Sequence, residues 1–413
     1  MKTLAIIGGG AAGLAAAVEA AREARARSAE IDITVYEAAD RVGKSILATG
    51  NGRCNLSNAA LDACAYRNAQ FVGEAYRTLP PAEVLSFFGD LGLVVRAGDE
   101  GWLYPLTNKA NSVLDVLRFA AREGGVRESC GVEVVSVTPV ERRFLVCFAD
   151  DSTTFADAVV VACGGAPARS LLPPAYPFAD VRPVLGPLGT DAAPLKGLNN
   201  VRARCEVSLW GRAGESDADA SGRRRARDSV ALKARAKGEV LFRDYGVSGI
   251  AVFDLSRFAE AGDVLSIDLV PGMSEDELAA DIASRIERFG MRSAVELVSG
   301  MLLAPIARAV LASIGVRADD PFPRGREADL SRAIKAFALD VTGLGDVRQC
   351  QVSRGGFDVA SFSPETMESL LHAGLYVVGE ALDVDAPCGG YNLHWAWTSG
   401  MLAARGAVGG CCR

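Results

Sequence analysis

Short apolar runs that stop at glycine punctuate both ends of the chain. Thr3–Ile7 (TLAII) stops at Gly8-Gly9-Gly10-Ala11-Ala12-Gly13, after which alanines, Leu14 and charged residues repeat at helical spacing to about Arg27. This pattern predicts strand, tight turn and helix. A second run, Ile31–Tyr36 (IDITVY), predicts a strand that ends in Glu37. Ala158–Ala162 (AVVVA) leads into Cys163-Gly164-Gly165, and Leu375–Val378 leads into Gly379-Glu380. Runs this continuously apolar suit strands covered on both faces of a parallel sheet. Gly131–Val137 and Phe144–Phe148 instead alternate, as a hairpin or meander does. After Asp383 and Asp385 the chain reads Cys388-Gly389-Gly390-Tyr391-Asn392, followed by a helical stretch from Leu393 to about Arg405.

The pattern changes between about Gly186 and Asp340. Val201–Trp210, Val230–Ala234, Glu239–Phe242, Ile250–Asp254 and Val264–Leu269 predict short strands of a small barrel or sandwich. Ser274, followed by Glu275, Asp276 and Glu277, has the form of a helix cap with acids in the first turn. Further helices are expected around Ala294–Leu302, Ile306–Ile314 and Asp329–Phe337. Within this region Gly211–Lys237, with Arg223-Arg224-Arg225, mixes charge signs and lacks aromatics, so it reads as a solvated hairpin extension rather than a nucleic-acid patch.

Composition narrows the class. The 413 residues are 49% hydrophobic and 23% charged, which is ordinary for folded chains and long enough for more than one domain. A net charge of −7 and a pI near 5.2 give no global attraction to nucleic acid or to an anionic bilayer. Ten cysteines with no CxxC pair and only two histidines leave no zinc framework, so no metal is expected and a reduced, cytoplasmic compartment is. Leu4–Val18 after Lys2 has the apolarity of a signal peptide, but glycines at fixed offsets account for it better, and no run reaches the ~20 apolar residues of a membrane span.

The glycines carry chemistry. Gly8, Gly10 and Gly13, with Ala12 inside the turn, satisfy GxGxxG: the first permits the turn, the second admits a pyrophosphate, the third lets helix pack on strand. Glu37, with Ala38 behind it, stands where a carboxylate accepts the hydroxyls of an adenosine ribose without a 2′-phosphate. That unit alone leaves NAD and FAD open. The following loop, Arg41–Asn58 (RVGKSILATGNGRCNLSN), has the make-up of a cofactor cover. Gly43, Gly50 and Gly52 give it backbone freedom, Lys44 and Arg53 offer positive charge, Asn55 an amide, and Cys54 reads as a packed thiol. Cys163, Gly164 and Gly165 bring the chain back to the same cleft. Glu380, after Gly379, stands where many FAD folds place an acid on the ribityl chain. Gly389 and Gly390 open a helix whose free amides suit the N1 and C2 carbonyl edge of a flavin. No second unit of this kind follows Glu37, so no dedicated nicotinamide domain is expected and NADH or NADPH would visit transiently.

Taken together, GGGAAGLAAA, SILATGNGRCNLSN, LYPLTNKANSVLDVL, VLFRDYGVSG and GLYVVGEALDVDAPCGGYNLHWAWTSG resemble the BaiN/YhiN-type flavoproteins, also called the NAD(P)/FAD-dependent oxidoreductase or aminoacetone oxidase family. The resemblance covers almost the whole chain. It implies an α/β fold with a Rossmann-like FAD-binding domain of the two-dinucleotide-binding type, assembled from residues 1–185 and 341–413. An inserted β-barrel (186–272) and a small helical subdomain (273–340) would interrupt it. It also implies that Glu37 contacts the adenosine ribose, the Val134 backbone the adenine, and Glu380, Asp383 and Gly390–Asn392 the ribityl and flavin portions. The sequence departs from the family in APARSLL after Gly165, in His394 before Trp395-Ala396-Trp397, and in Phe357 after Gly355-Gly356.

The activity so implied is reduction of an activated C=C bond, an enone such as a 3-oxo bile-acid-like steroid, with Tyr391, His394 or Tyr104 as candidate proton donors. Alternatives are an FAD-dependent amine or alcohol oxidase or dehydrogenase, an FAD-containing RNA-modification protein, and a regulator without turnover. A small-molecule substrate is expected, with neither nucleic acid nor membrane as partner; oligomeric state stays open.

Overall fold

The computed structural model describes residues 1–98, 101–211 and 231–412; Arg223–Arg225 and Val230 of the expected hairpin extension lie outside them. The chain falls into two compact bodies, residues 1–182 with 352–413, and residues 183–351.

The first body begins as its apolar pattern requires. β1 (Lys2–Ile7) is followed by the helix α1 (Ala11–Ala26) and by β2 (Ile31–Glu37). A short helix α2 (Lys44–Ala48) and the two-residue strand β3 (Ser57–Asn58) lead to α3 (Ala69–Thr78) and α4 (Pro81–Asp90). Next come β4 (Val95–Ala97), β5 (Trp102–Pro105) and α5 (Ala110–Glu123). β6 (Arg127–Cys130) precedes the meander β7 (Val134–Val140), β8 (Arg143–Phe148) and β9 (Thr153–Ala156), where the sequence alternates. β10 (Ala158–Val161), wholly buried, runs into α6 (Gly165–Ala168) and β11 (Phe178–Val184).

The second body has a closed barrel built from β12 (Leu188–Thr190), β13 (Arg202–Gly211), β14 (Ala231–Arg243), β15 (Gly246–Ser248), β16 (Val264–Asp268) and β17 (Phe337–Leu344). Three expected strands differ. Ile250–Asp254 is not a strand but part of the helix α7 (Ile250–Ser256): Gly249, at φ +104, breaks the ladder, and Ala251, Val252 and Leu255 then face inward at helical spacing. Val230–Ala234 and Glu239–Phe242 are not separate strands; their described residues run through the single strand β14. Helices α8 (Glu275–Phe289), α9 (Ala294–Val298), α10 (Ala304–Ser313) and α11 (Glu327–Lys335) follow, and Phe337 begins β17 rather than ending a helix. Ser274 caps α8 in a capping box with Glu277. Barrel and helices share one apolar core, with Val207, Phe242 and Leu265 beside Ile282, Val310 and Leu330.

The chain then returns to the first body with β18 (Val352–Phe357), β19 (Leu375–Val377) and α12 (Tyr391–Cys411). One parallel sheet is ordered β19-β10-β1-β2-β6, with Ile7 opposite Val161 and Tyr36, and Val161 opposite Val377. This is the Rossmann-type sheet, and with the barrel it bears out the fold class. Parallel register places the carboxyl ends of β1, β2, β10 and β19 on one edge, and chain order reverses between β1 and β10, where such sheets open a crevice. α12 lies along α1: a Cβ on Gly400 would stand 2.3 Å from the Ala12 carbonyl oxygen, so glycine there sets the approach.

Candidate functional site

The edge where these strands end is built from backbone. Gly8 has φ +102, and a Cβ on it would meet the Ala162 carbonyl at 2.6 Å; one on Gly13 would stand 1.9 Å from the Gly8 carbonyl oxygen. No residue larger than glycine fits these two positions. The amides that open α1 have no partner earlier in their own helix, which makes this end a receptor for phosphate. Glu37 braces the turn: Oε2 accepts the Gly9 amide at 2.7 Å and Oε1 the Ala39 amide at 2.8 Å. Each carboxylate oxygen can still accept a ribose hydroxyl. Ala38 links these two contacts. The backbone drawn beside them is that of Gly131, whose amide donates to the Ala39 carbonyl, and Val132, whose amide donates to that of Glu37. Val134, expected against the adenine, is two residues farther on and already pairs with Phe148.

The cover loop reaches the turn through a bond from the Gly43 amide to the Gly9 carbonyl, 2.7 Å. Its side chain facing Gly10 is Ser45, whose Oγ lies 3.2 Å from where a Cβ on Gly10 would be. Lys44, expected on the pyrophosphate, is exposed and holds Asp40 at 2.5 Å, so its charge is compensated at the surface. Ser45 carries no sequence signal of its own. Gly50, Asn51, Gly52 and Cys54 all have positive φ, which folds the loop tightly. Cys54 is fully buried, and burial pushes its thiol up to about 12, the behaviour of a packed side chain. Arg53 donates from Nε to the Gly50 carbonyl and lies over the Tyr104 ring.

The end of this loop meets the carboxy-terminal glycine pair. A Cβ on Gly390 would stand 2.3 Å from the Ser57 carbonyl oxygen and 2.9 Å from Asn55 Oδ1, and one on Gly389 would stand 2.9 Å from Trp102 Nε1. Asn58 Nδ2 donates to the Gly389 carbonyl at 2.9 Å. Asn55 Oδ1 is buried without a hydrogen-bond partner. That orphaned acceptor beside a helix N-terminus matches the edge of a flavin, which has one N–H between two carbonyls. With the amides of α1 and α12 and with Glu37, the residues fit a flavin dinucleotide.

Other expected residues do different work. His394 is fully buried, its Nδ1 is 2.8 Å from Ser57 Oγ, and burial pushes its pKa down to about 3. The ring is therefore neutral and enclosed, which corrects its reading as an acid facing substrate. Asn392 spends its amide on the Ala386 backbone and the Pro387 carbonyl, which shapes the loop before α12. Tyr391, half-buried, donates from its hydroxyl to the Ala60 carbonyl at 3.0 Å. Tyr104 is buried, with the guanidinium carbons of Arg53 and Arg96 at 5.0 and 5.8 Å from its ring centroid.

At the ends of β10 and β19, a Cβ on Gly165 would stand 3.0 Å from the Glu380 carbonyl oxygen, while one on Gly164 would meet no atom within 4 Å. Burial raises the Cys163 thiol to about 12. Gly379 donates its amide to Ser399 Oγ and accepts from Trp395 Nε1, fixing β19 to α12. Burial raises Glu380 to about 7 against a bond from the Ser353 backbone, with Asp385 adding repulsion. Asp383 is committed elsewhere: Arg67 Nε bonds both its oxygens, at 2.9 and 2.8 Å, and the Gly355 amide donates at 3.0 Å. These bonds fix the turn at Asp383. Asp385, with no exposure, pairs with Arg354 at 2.8 Å. Among the described residues no helix is long and apolar enough to cross a membrane, and no group of three or more potential ligands could hold a metal ion.

Residues 2–406 match the family described as the HI0933-like protein Rossmann domain. The chain is similar, at 32% identity over 99% of both chains, to a 3-dehydro-bile acid Δ(4,6)-reductase of Clostridium scindens. It is similar, at 25% identity over 97% of this chain and 96% of the other, to a ribosomal RNA dihydrouridine synthase of Haemophilus influenzae. Among solved structures, a 3-ketosteroid-Δ4-(5α)-dehydrogenase of Rhodococcus jostii in complex with 4-androstene-3,17-dione overlays 100% of this chain and 97% of its own, with a TM-score of 0.43 and 14% identity.

Proposed function

The chain belongs to the HI0933-like Rossmann family and is an FAD-dependent oxidoreductase; from that premise we propose that it reduces a carbon–carbon double bond conjugated to a carbonyl, with NADH or NADPH as transient reductant. The observation that carries this reading is the pair of glycine-opened helices at one sheet edge, with Asn55 Oδ1 left unpartnered beside the second. In chemical terms both full-length relatives are named for saturating such a bond: the first in a 3-oxo steroid acid, the second in a uracil ring. When bound, FAD supplies the hydride chemistry.

The chain's own residues bind, orient and protonate. The α1 turn with Ser45 holds the pyrophosphate, and Glu37 holds the ribose. The amides opening α12 would hold the flavin's pyrimidine edge and favour negative charge there. Tyr391, the first residue of that helix, is the accessible hydroxyl of the three candidates, and releasing the Ala60 carbonyl would free its proton for the second carbon.

The test is anaerobic mixing of the yellow protein with NADH and with NADPH, followed by reoxidation with cyclic enones, with a uridine oligonucleotide and with oxygen. Bleaching by a nicotinamide and rapid recovery with an enone is the expected result. Recovery only with oxygen would make the protein an oxidase, and recovery only with the oligonucleotide would move the substrate to RNA. Tyr391→Phe is expected to slow the enone step about 100-fold and leave bleaching unchanged. An unaltered rate would remove Tyr391 as the acid.

A further inference from the structure

The start of α12 is seamed to one short stretch of the cover loop, and every residue of that stretch takes part. Trp397 donates from Nε1 to the Leu56 carbonyl at 3.1 Å, and Asn58 Nδ2 donates to the Gly389 carbonyl at 2.9 Å. Asn55 lies against Gly390. Ser57 spans the turn itself. Its carbonyl is packed on Gly390, and its hydroxyl is 2.8 Å from Nδ1 of His394, whose own amide donates to the Gly390 carbonyl. Ser57 and His394 are fully buried. The far side of the imidazole is walled as well: the ring meets Tyr76 at 82°, with centroids 5.7 Å apart. The Tyr66 hydroxyl, 2.7 Å from that of Tyr76, donates to the Tyr391 carbonyl at 2.8 Å.

Counting partners gives the Ser57–His394 bond its direction. Burial keeps the ring neutral, so one nitrogen donates and the other accepts. Neither Ser57 Oγ nor His394 Nε2 has another hydrogen-bond partner among the described residues. With the proton on Nε2, the Ser57 hydroxyl donates to Nδ1 and one donor is left over. With the proton on Nδ1, both the hydroxyl hydrogen and the Nε2 lone pair are left over, which is the costlier arrangement. The hydroxyl is therefore the donor, and the bond needs an acceptor at Nδ1. A side chain that only fills the volume of the ring would not supply it.

We propose that His394 is a positioning residue: through Ser57 it holds Asn55 and the amides opening α12 against the pyrimidine edge of the flavin, and this raises the reduction potential of the bound cofactor. Reduction by two electrons favours negative charge at that edge, and a helix N-terminus stabilises the charge only if it is held in place. No side chain caps α12, so the loop that walls Gly390 decides how closely a ring approaches. The inference rests on the flavin lying at this corner and is independent of the substrate.

The experiment measures the midpoint potential of the FAD-loaded protein by stepwise dithionite reduction with an indicator dye, in the absence of nicotinamide and substrate. Ser57→Ala and His394→Leu are each expected to lower the ratio of affinities for reduced over oxidised FAD about tenfold, a fall of about 30 mV for a two-electron couple. Because both remove one bond, the double variant is expected to fall no further than either single one. His394→Asn, whose amide oxygen can stand where Nδ1 stood, is expected to restore most of the potential. An unchanged potential in Ser57→Ala would overturn the proposal, as would additive shifts in the double variant. A potential in His394→Asn as low as in His394→Leu would overturn it too, because volume and not the acceptor would then matter. Ser57→Ala, which removes a single oxygen, keeps the test decisive if His394→Leu loses its flavin. Asn55→Leu separates this inference from the placement it rests on. If that variant shifts the potential and Ser57→Ala does not, the flavin lies at the corner and the clamp fails; if neither shifts it, the placement falls as well.

Discussion

Two glycine turns open two helices beside the same crevice, and they are made in different ways. At Gly8–Gly13 the obstacles to a side chain are the turn's own carbonyl and the adjoining strand, at 1.9 and 2.6 Å. At Gly389–Gly390 the obstacles are Ser57, Asn55 and Trp102, side chains and backbone brought from about 290 to 335 residues away along the chain, as the Asn58–Gly389 bond also is. The first turn is thus closed in part by its own backbone, with one wall lent by the end of β10. The second has its shape only when a distant loop is folded against it, so its geometry depends on the packing of the whole first body.

The largest test of this contrast is Gly13→Ala. Its new methyl would collide with backbone that has no other place to go, so a loss of about 3 kcal/mol or more is expected, read as a lowered midpoint of thermal unfolding and loss of bound flavin. Gly390→Ala is expected to cost less stability, because a loop carbonyl can give way, yet to alter the flavin spectrum and retention. A larger drop in midpoint for Gly390→Ala than for Gly13→Ala would reverse the contrast.

Glu37→Arg ranks next. It removes the acceptor of the Gly9 and Ala39 amides and puts a positive charge where the ribose sits, so FAD affinity should fall at least tenfold, measured as occupancy after purification and by titration of the apoprotein. Unchanged occupancy would take the ribose contact away from Glu37.

At neutral pH the smallest effect concerns the wall of the second turn. His394 is neutral in the folded protein, with a pKa near 3, against 6.5 for a free side chain. Unfolded chains therefore take up a proton at this ring first, and its contribution to stability is lost as pH falls from about 6.5 towards 3, by at most about 1.4 kcal/mol per unit. Glu380, raised to about 7, acts in the opposite sense: its contribution is full at low pH and is lost as pH rises through 7. The difference between the unaltered protein and His394→Gln isolates the histidine, and the variant is expected to resist acid better between pH 6 and 4. Parallel stability profiles would show that His394 keeps no depressed pKa.

This contrast also explains what could be read in advance. β1, the GxGxxG turn, α1, Glu37, β10 and β19 are announced by neighbouring residues, because a run of apolar residues and a glycine are local facts. The motif GGYN announces its helix too, but not the walls around it, since nothing near Ser57 or Trp102 in sequence names Gly390 or Gly389 as its neighbour. Distance along the chain likewise hid Arg67, 316 residues from Asp383, while Arg354, 31 residues from Asp385, has no local pattern that names its partner; both aspartates are halves of ion pairs. Ser45 and Lys44 show the limit at single-residue scale: charge drew attention to the lysine, whereas helix geometry turns its neighbour towards Gly10. Ile250–Asp254 is helical where its pattern predicts a strand, because a short apolar run fits strand or helix equally until Gly249 is known to break the ladder.

The order of strands β19-β10-β1-β2-β6 has a consequence for biosynthesis. A ribosome delivers β1, its glycines and Glu37 first, but β19 and α12, which supply Gly379, Glu380 and the second turn, emerge only after the barrel-bearing body has been made. A nascent chain of some 350 residues therefore already displays the nucleotide half of the crevice and lacks the half that would grip the ring system. Loading of the chromophore must therefore wait for α12, which makes acquisition of colour a report that both halves of the crevice have been joined.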